Sequence, residues 1–216
     1  IVVYLEENCL CRKGSGSMEK WKEYAQRLWA ISAYRNLMTL PVLQQLQLLV
    51  ETLAEDAPER KQLLMAYTGT FYELQRAGHD SLGGYLWEHL RYDETPYGDA
   101  AARGTANEAL IAAARQDLET FGALAAIDGN AWVQTMASIL GAETAQRLPA
   151  WRADTTLTYG AVTAAYEADG AGEFARYKAF IWENHSLLPV RDPDLEEYEL
   201  IGYEEERREV YENTRA

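Results

Sequence analysis

The side chains able to do chemistry are few and scattered. His79, His89 and His185 fall in no H-E-x-x-H or Cys/His spacing that would bring two ligands, or a ligand and a base, onto one helix face. Each reads as a surface or helix-end histidine. Cys9 and Cys11 form a lone C-x-C, and two thiolates without further Cys or His make an incomplete soft-metal site. Ser81 stands in Asp80-Ser81-Leu82-Gly83-Gly84 and lacks the G-x-S-x-G turn that presents a nucleophile. Gly83-Gly84 and Gly170-Ala171-Gly172 lack the Gly-Lys-Ser/Thr continuation of a phosphate loop, so both read as helix breaks. Adjacent acids recur at Glu6-Glu7, Asp93-Glu94, Glu196-Glu197 and Glu204 to Glu206. Paired carboxylates act as acid and base only where burial separates their pKa values, and these runs lie in polar, charged surroundings. No catalytic residue and no metal ligand set is expected in the chain.

The elements that must carry these residues are helices. Trp21, Tyr24, Leu28, Ile31, Ala33 and Leu37 recur at the three- and four-residue steps of one helix face, from a start at Met18. Thr39-Leu40-Pro41 ends that helix and begins another, striped by Val42, Leu43, Leu46, Leu49, Val50 and Leu53. Ala57-Pro58-Glu59 repeats the stop and start, and Leu63, Leu64, Tyr67, Phe71 and Leu74 continue the stripe until Gly78. Asp80-Ser81 caps a shorter segment, and Arg91 to Asp99 reads as a turn-rich loop. A long helix comes next over 107–126, then Asp128-Gly129-Asn130 as a turn and cap, and helices over 132–140 and 142–148. Trp151 to Asp154 is a break. Helices over 156–168 and 173–185 complete the pattern before Ser186 to Val190 runs extended. Most aromatic residues fall on these stripes beside leucine, which favours core packing over base stacking.

Composition narrows the function classes. The chain has 34 acidic and 20 basic residues and a net charge of −14, the wrong sign for a general nucleic-acid binder. Apolar residues make up 48%, enough for a sizeable core in 216 residues. No run approaches the ~18–20 apolar residues that span a bilayer, so no membrane association is expected. The beginning, Ile1 to Leu5, is too short and too soon acidic for a signal peptide, and a cytoplasmic location is the expectation. Residues 1–17 do not match the helical pattern from Met18 onward, and Gly14-Ser15-Gly16-Ser17 has the composition of a flexible linker. Either an engineered peptide or untranslated codons upstream of a start at Met18 account for them.

The far end of the chain carries the most specific wording. Glu199-Leu200-Ile201-Gly202-Tyr203-Glu204 is an apolar-apolar-Gly turn that opens into a charged helical run ending Asn213-Thr214-Arg215-Ala216. L-I-G-Y-E, then E-R, then N-T-R-A resembles an uncharacterised bacterial family of predicted AAA+ P-loop ATPases. The resemblance is specific over Leu187 to Ala216 and looser over Arg91 to Arg103, where an Asp93-x-x-Pro96 step precedes Ala100-Ala101-Ala102; elsewhere from Met18 on it rests only on the helical pattern. The resemblance implies an α-helical region over 18–190, then a linker and the entry helix of an α/β AAA+ module over 191–216, with the P-loop absent. The expected fold class is therefore all-α for the folded part, a multi-helix bundle. In AAA+ modules the apolar residue and Gly of such a turn lie against adenine, so Ile201, Gly202 and Tyr203 are implied as its wall. ATP and Mg are implied for the full-length protein only, with none for this chain. Its implied partners are a protein client or adaptor, and copies of itself through the missing motor. The alternative is an autonomous helical protein–protein interaction domain unrelated to ATPases.

Overall fold

Local capping by side chains explains half of the α-helix starts in the computed structural model, which describes residues 10–177, 179–183 and 185–190. The first helix, α1 (Leu10–Trp29), begins before the expected Met18 and ends well before Leu37. A 3-10 turn over Arg35–Thr39 comes next, and α2 (Pro41–Ala54) starts with its proline at the first position. The residue preceding it, Leu40, makes no side-chain cap, while Thr39 donates its hydroxyl back to Asn36 O at 2.7 Å. After α3 (Arg60–Arg76) the chain reverses through Gly78, whose φ of 81° is the left-handed value that glycine adopts without strain.

Side chains cap the next helices as their types require. Ser81 accepts from Gly84 N at 3.0 Å to open α4 (Leu82–Tyr92), and Thr95 accepts from Gly98 N at 3.0 Å to open α5 (Pro96–Ala102). The expected loop over 91–99 is thus shorter, because Thr95-Pro96 is itself a helix start. Asn107 opens α6 (Glu108–Ala125), and Asp128 opens α7 (Gly129–Leu140). A short α8 (Ala142–Gln146) precedes the break at Trp151, and Thr158 opens α9 (Tyr159–Asp169). A last turn, α10 (Glu173–Arg176), closes the first of two compact units, which ends at Arg176.

Within that unit α2 packs between α1 and α3. Lys22 pairs with Asp56 while Trp29 bonds Glu51, so α1 and α2 run antiparallel. Leu28, Leu37, Leu43, Leu46, Leu49 and Leu63 are essentially inaccessible to solvent, and Phe121, Trp132 and Tyr166 join them in one cluster. α1 stops at Trp29 for a non-local reason. Asp117 of α6 accepts the backbone N–H groups of Ser32, Ala33 and Tyr34 at 3.0, 2.8 and 3.1 Å, taking donors that a continued helix would have used.

The expected helix over 173–185 is a correction. Only Glu173–Arg176 is helical, and the second unit contains an antiparallel hairpin of β1 (Phe180–Glu183) and β2 (Ser186–Pro189). Phe180-Ile181-Trp182 is aromatic and β-branched, which suits a pleated strand, and His185 turns the chain with a φ of 64°. Among the described residues the fold is therefore mostly helical with one small two-stranded sheet, not purely α.

The unexpected early start of α1 carries a prediction about residues 1–17. Glu19 and Lys20 are exposed, and among the described side chains the first core residue of α1 is Trp21. Gly14 to Ser17 are poor helix formers whose removal sacrifices little intrinsic helix energy. A protein starting at Met18 is expected to melt within about 2 °C of the full chain. A loss of several degrees in thermal unfolding would show that the first turns of α1 contribute to the core.

Candidate functional site

Buried polar side chains are the first place to look for chemistry. Among the described residues the carboxylate and hydroxyls are consumed by structure, while Arg91 Nε and the indole N–H groups of Trp21, Trp132 and Trp151 are buried without a hydrogen-bond partner. Asp117 is 1% exposed, and its three N–H partners hold the segment after α1. Burial pushes its carboxyl above the usual carboxylate range, outweighing the opposing pull of the three backbone donors. The tyrosines form a second network. Tyr97 donates to Tyr159 at 2.9 Å and lies 2.9 Å from Thr163 Oγ1, while Tyr166 donates to Leu90 O at 2.5 Å. Burial pushes Tyr97 up to about 12 and raises Tyr34 and Tyr166 as well, so these phenols stay neutral near pH 7. Tyr159 shifts the other way, because Tyr97 donates to it, helped by the Arg115 guanidinium 4.8 Å from its ring centre. A hydroxyl tied to its neighbours in this way fixes α5 against α9 rather than awaiting a substrate.

Aromatic rings form the third interior feature. Tyr67 stacks on Trp151 at 4.8 Å, Trp151 lies 5.9 Å from Trp132, and Trp132 lies 4.7 Å from Trp21. These rings join α1, α3 and α7 to the segment carrying Trp151, which is core packing of the kind the helical stripes imply.

Sequence-level candidates are not brought together. His79 meets Glu88 at 3.0 Å and His89 meets Asp93 at 2.8 Å, each on the rim of α4, and Tyr85 lies between the two rings. His185 belongs to the hairpin turn of the other unit. Ser81 is a helix cap, and Gly83-Gly84 lie in the first turn of α4. Among the described residues no group of His, Cys, Asp and Glu could hold a metal ion. The implied adenine wall, Ile201, Gly202 and Tyr203, lies outside the described residues, as does Cys9.

A roomy concavity lies at the surface between α1 and α2. It encloses about 350 Å³, near the lower end of the ~300–1,000 Å³ typical of ligand sites. Small residues make it: Ala25 is buried at its floor and Ala54 is half-buried. Trp29 forms a wall and is 58% exposed, while Lys22, Glu51 and Glu55 stand around it. The indole is held rather than loose. Its Nε1 donates to Glu51 Oε1 at 2.5 Å, and Gln47 Nε2 donates to the same oxygen at 2.8 Å. Lys22 pairs with Asp56 at 2.9 Å, and that hydrogen bond and charge raise its pKa.

Sequence reasoning passed over this groove. The readable signal was Trp29 itself, a large aromatic next to Leu28 but off the Trp21–Leu28 stripe. What no local pattern shows is that Glu51 and Glu55 of α2 come to rest beside it.

Comparison with protein-family models, curated proteins and solved structures yields no match. Among the described residues no helix is long and apolar enough to cross a membrane.

Proposed function

We propose that this chain is the helical recruiting region of a bacterial AAA+ ATP-binding protein, non-catalytic by itself, which presents a client or adaptor to the adjoining motor. The observation that carries the recruiting role is the placement of polar groups. Buried Asp117 and the tyrosine hydroxyls are tied into structural bonds. The unpaired buried indole N–H groups of Trp21, Trp132 and Trp151 are donors only, neither base nor nucleophile. The concavity between α1 and α2, by contrast, is an open surface groove with a held, exposed indole. Such a surface suits recognition rather than bond-making, because a reaction needs acid, base or nucleophile at the place where substrate sits. The ATPase half of the reading rests on the L-I-G-Y-E resemblance at residues 200–204.

The role of Ile201 is tested in a protein extended through the motor. If Ile201 walls the adenine, Ile201→Asp forces a carboxylate to lose hydration beside an apolar base. ATP binding is expected to weaken by tenfold or more, while thermal unfolding of the helical unit is unchanged. Unchanged affinity in the folded variant would remove Ile201 from the site. A second reading, an autonomous interaction domain, draws on the first compact unit ending at Arg176. The coding sequence beyond residue 216 separates the two, since a G-x-x-x-x-G-K-[ST] there belongs to the ATPase alone.

A further inference from the structure

We infer that the groove between α1 and α2 is an arginine-binding site, which receives a guanidinium from a basic segment of a partner protein. The inference rests on the recruiting role proposed above and not on the ATPase. Three features of the groove favour a cation of this shape. The Trp29 indole is exposed and clamped by Glu51, so a flat cation can stack on it without first ordering the ring. Glu51 and Glu55 line the same groove, and a guanidinium can stack on an aromatic face while its N–H fork bonds a carboxylate, which an ammonium does less well. The groove also lies at the C-terminal end of α2, where the helix carries partial negative charge and its last turn has no basic side chain.

The chain's own cations nearby are engaged elsewhere. Lys22 pairs with Asp56 and Glu19, Arg27 with Glu23 at 2.6 Å, and Arg35 donates to Trp29 O. Among the described residues the cations that stack on rings lie over Trp21, Tyr24, Tyr92 and Tyr159, not over Trp29. A net charge of −14 adds a long-range pull on a basic partner.

The test is a titration of the nitrogen-15-labelled full chain with the blocked tripeptide Gly-Arg-Gly, monitored at the Trp29 indole N–H. A saturable shift is expected, with half-saturation on the order of 1–10 mM for a single side chain. The neutral citrulline tripeptide should bind at least tenfold more weakly. Glu55→Gln, at an exposed position, should weaken the arginine peptide several-fold, and Glu51→Gln with Glu55→Gln at least tenfold. Unchanged thermal unfolding of each variant confirms that the fold is kept; where the double variant unfolds, Glu55→Gln alone decides. Absence of saturation by 50 mM, equal binding of citrulline, or unaltered affinity in Glu55→Gln would overturn the assignment. Because this titration involves neither motor nor nucleotide, its failure removes the groove alone. The recruiting role fails separately, if an extended protein lacking residues 10–176 still associates with its client.

Discussion

Replacing Asp117 with alanine is expected to lower the unfolding free energy by roughly 3–5 kcal/mol, one of the two largest single-residue effects predicted for the chain. The carboxylate is the acceptor for Ser32, Ala33 and Tyr34 N–H, and the last two of these bonds are buried. Each donor left without a partner away from water costs about 1–3 kcal/mol. A loss of that size is a large share of the ~5–15 kcal/mol that holds a domain together, and should lower the melting temperature by on the order of 10 °C. Asp117→Asn keeps an acceptor oxygen in the same place and is expected to cost less than half as much. A pH dependence accompanies it. Since burial raises the carboxyl pKa in the folded protein, the native state holds this proton more tightly than the unfolded state. Stability from this group is therefore highest in acid and falls as pH rises from the unfolded value through the raised native one, after which it is level. Urea unfolding of wild type and Asp117→Asn across pH 3–7 isolates the effect, because the other carboxylates are common to both. An alanine variant within 1 kcal/mol of wild type would mean that the segment after α1 re-forms its hydrogen bonds with water.

Gly129→Ala is expected to destabilise by about 3 kcal/mol, and Gly160→Ala to do the opposite. Gly129 opens α7 against the backbone of the Trp151 segment, with its N–H donating to Trp151 O at 2.9 Å. A Cβ there would collide with Trp151 N and come within 2.6 Å of Trp151 O and 2.9 Å of Ala150 C, and backbone cannot rotate away as a side chain can. Overpacking of this kind typically costs about 1–3 kcal/mol, and here it also breaks the junction that seats Trp151 beside Trp132 and Tyr67. Gly160 lies in the first turn of α9 with nothing within 4 Å of its would-be Cβ. Alanine there should add up to about 1 kcal/mol by restricting the unfolded chain and favouring helix. Chemical unfolding of the two variants side by side checks both signs. Equal effects would show that close approach at Gly129 is relieved by a shift of α7.

Nearest-neighbour chemistry determined much of this protein in advance. Ser81, Asn107 and Asp128 announce helix starts because a short oxygen-bearing side chain satisfies orphan N–H groups two or three residues ahead, whatever lies elsewhere in the chain. Pro41 and Gly78 act through their own backbone limits, and the apolar stripes of α2, α3 and α6 select the faces that are buried. Tertiary structure decided the rest, through partners distant in the sequence. The stripe through Ile31 and Leu37 continued as if helical, yet α1 ends at Trp29 because Asp117, more than eighty residues on, captures the next N–H groups. The stretch over 173–185 fitted a helix too, and cross-strand pairing of Ile181 with Leu188 and Trp182 with Leu187 made part of it a hairpin instead. The groove belongs to the same class. Trp29 is visible as an off-stripe aromatic, but its clamp by Glu51 exists only once two antiparallel helices are in register, because a hydrogen bond depends on distance in space and the sequence records only distance along the chain.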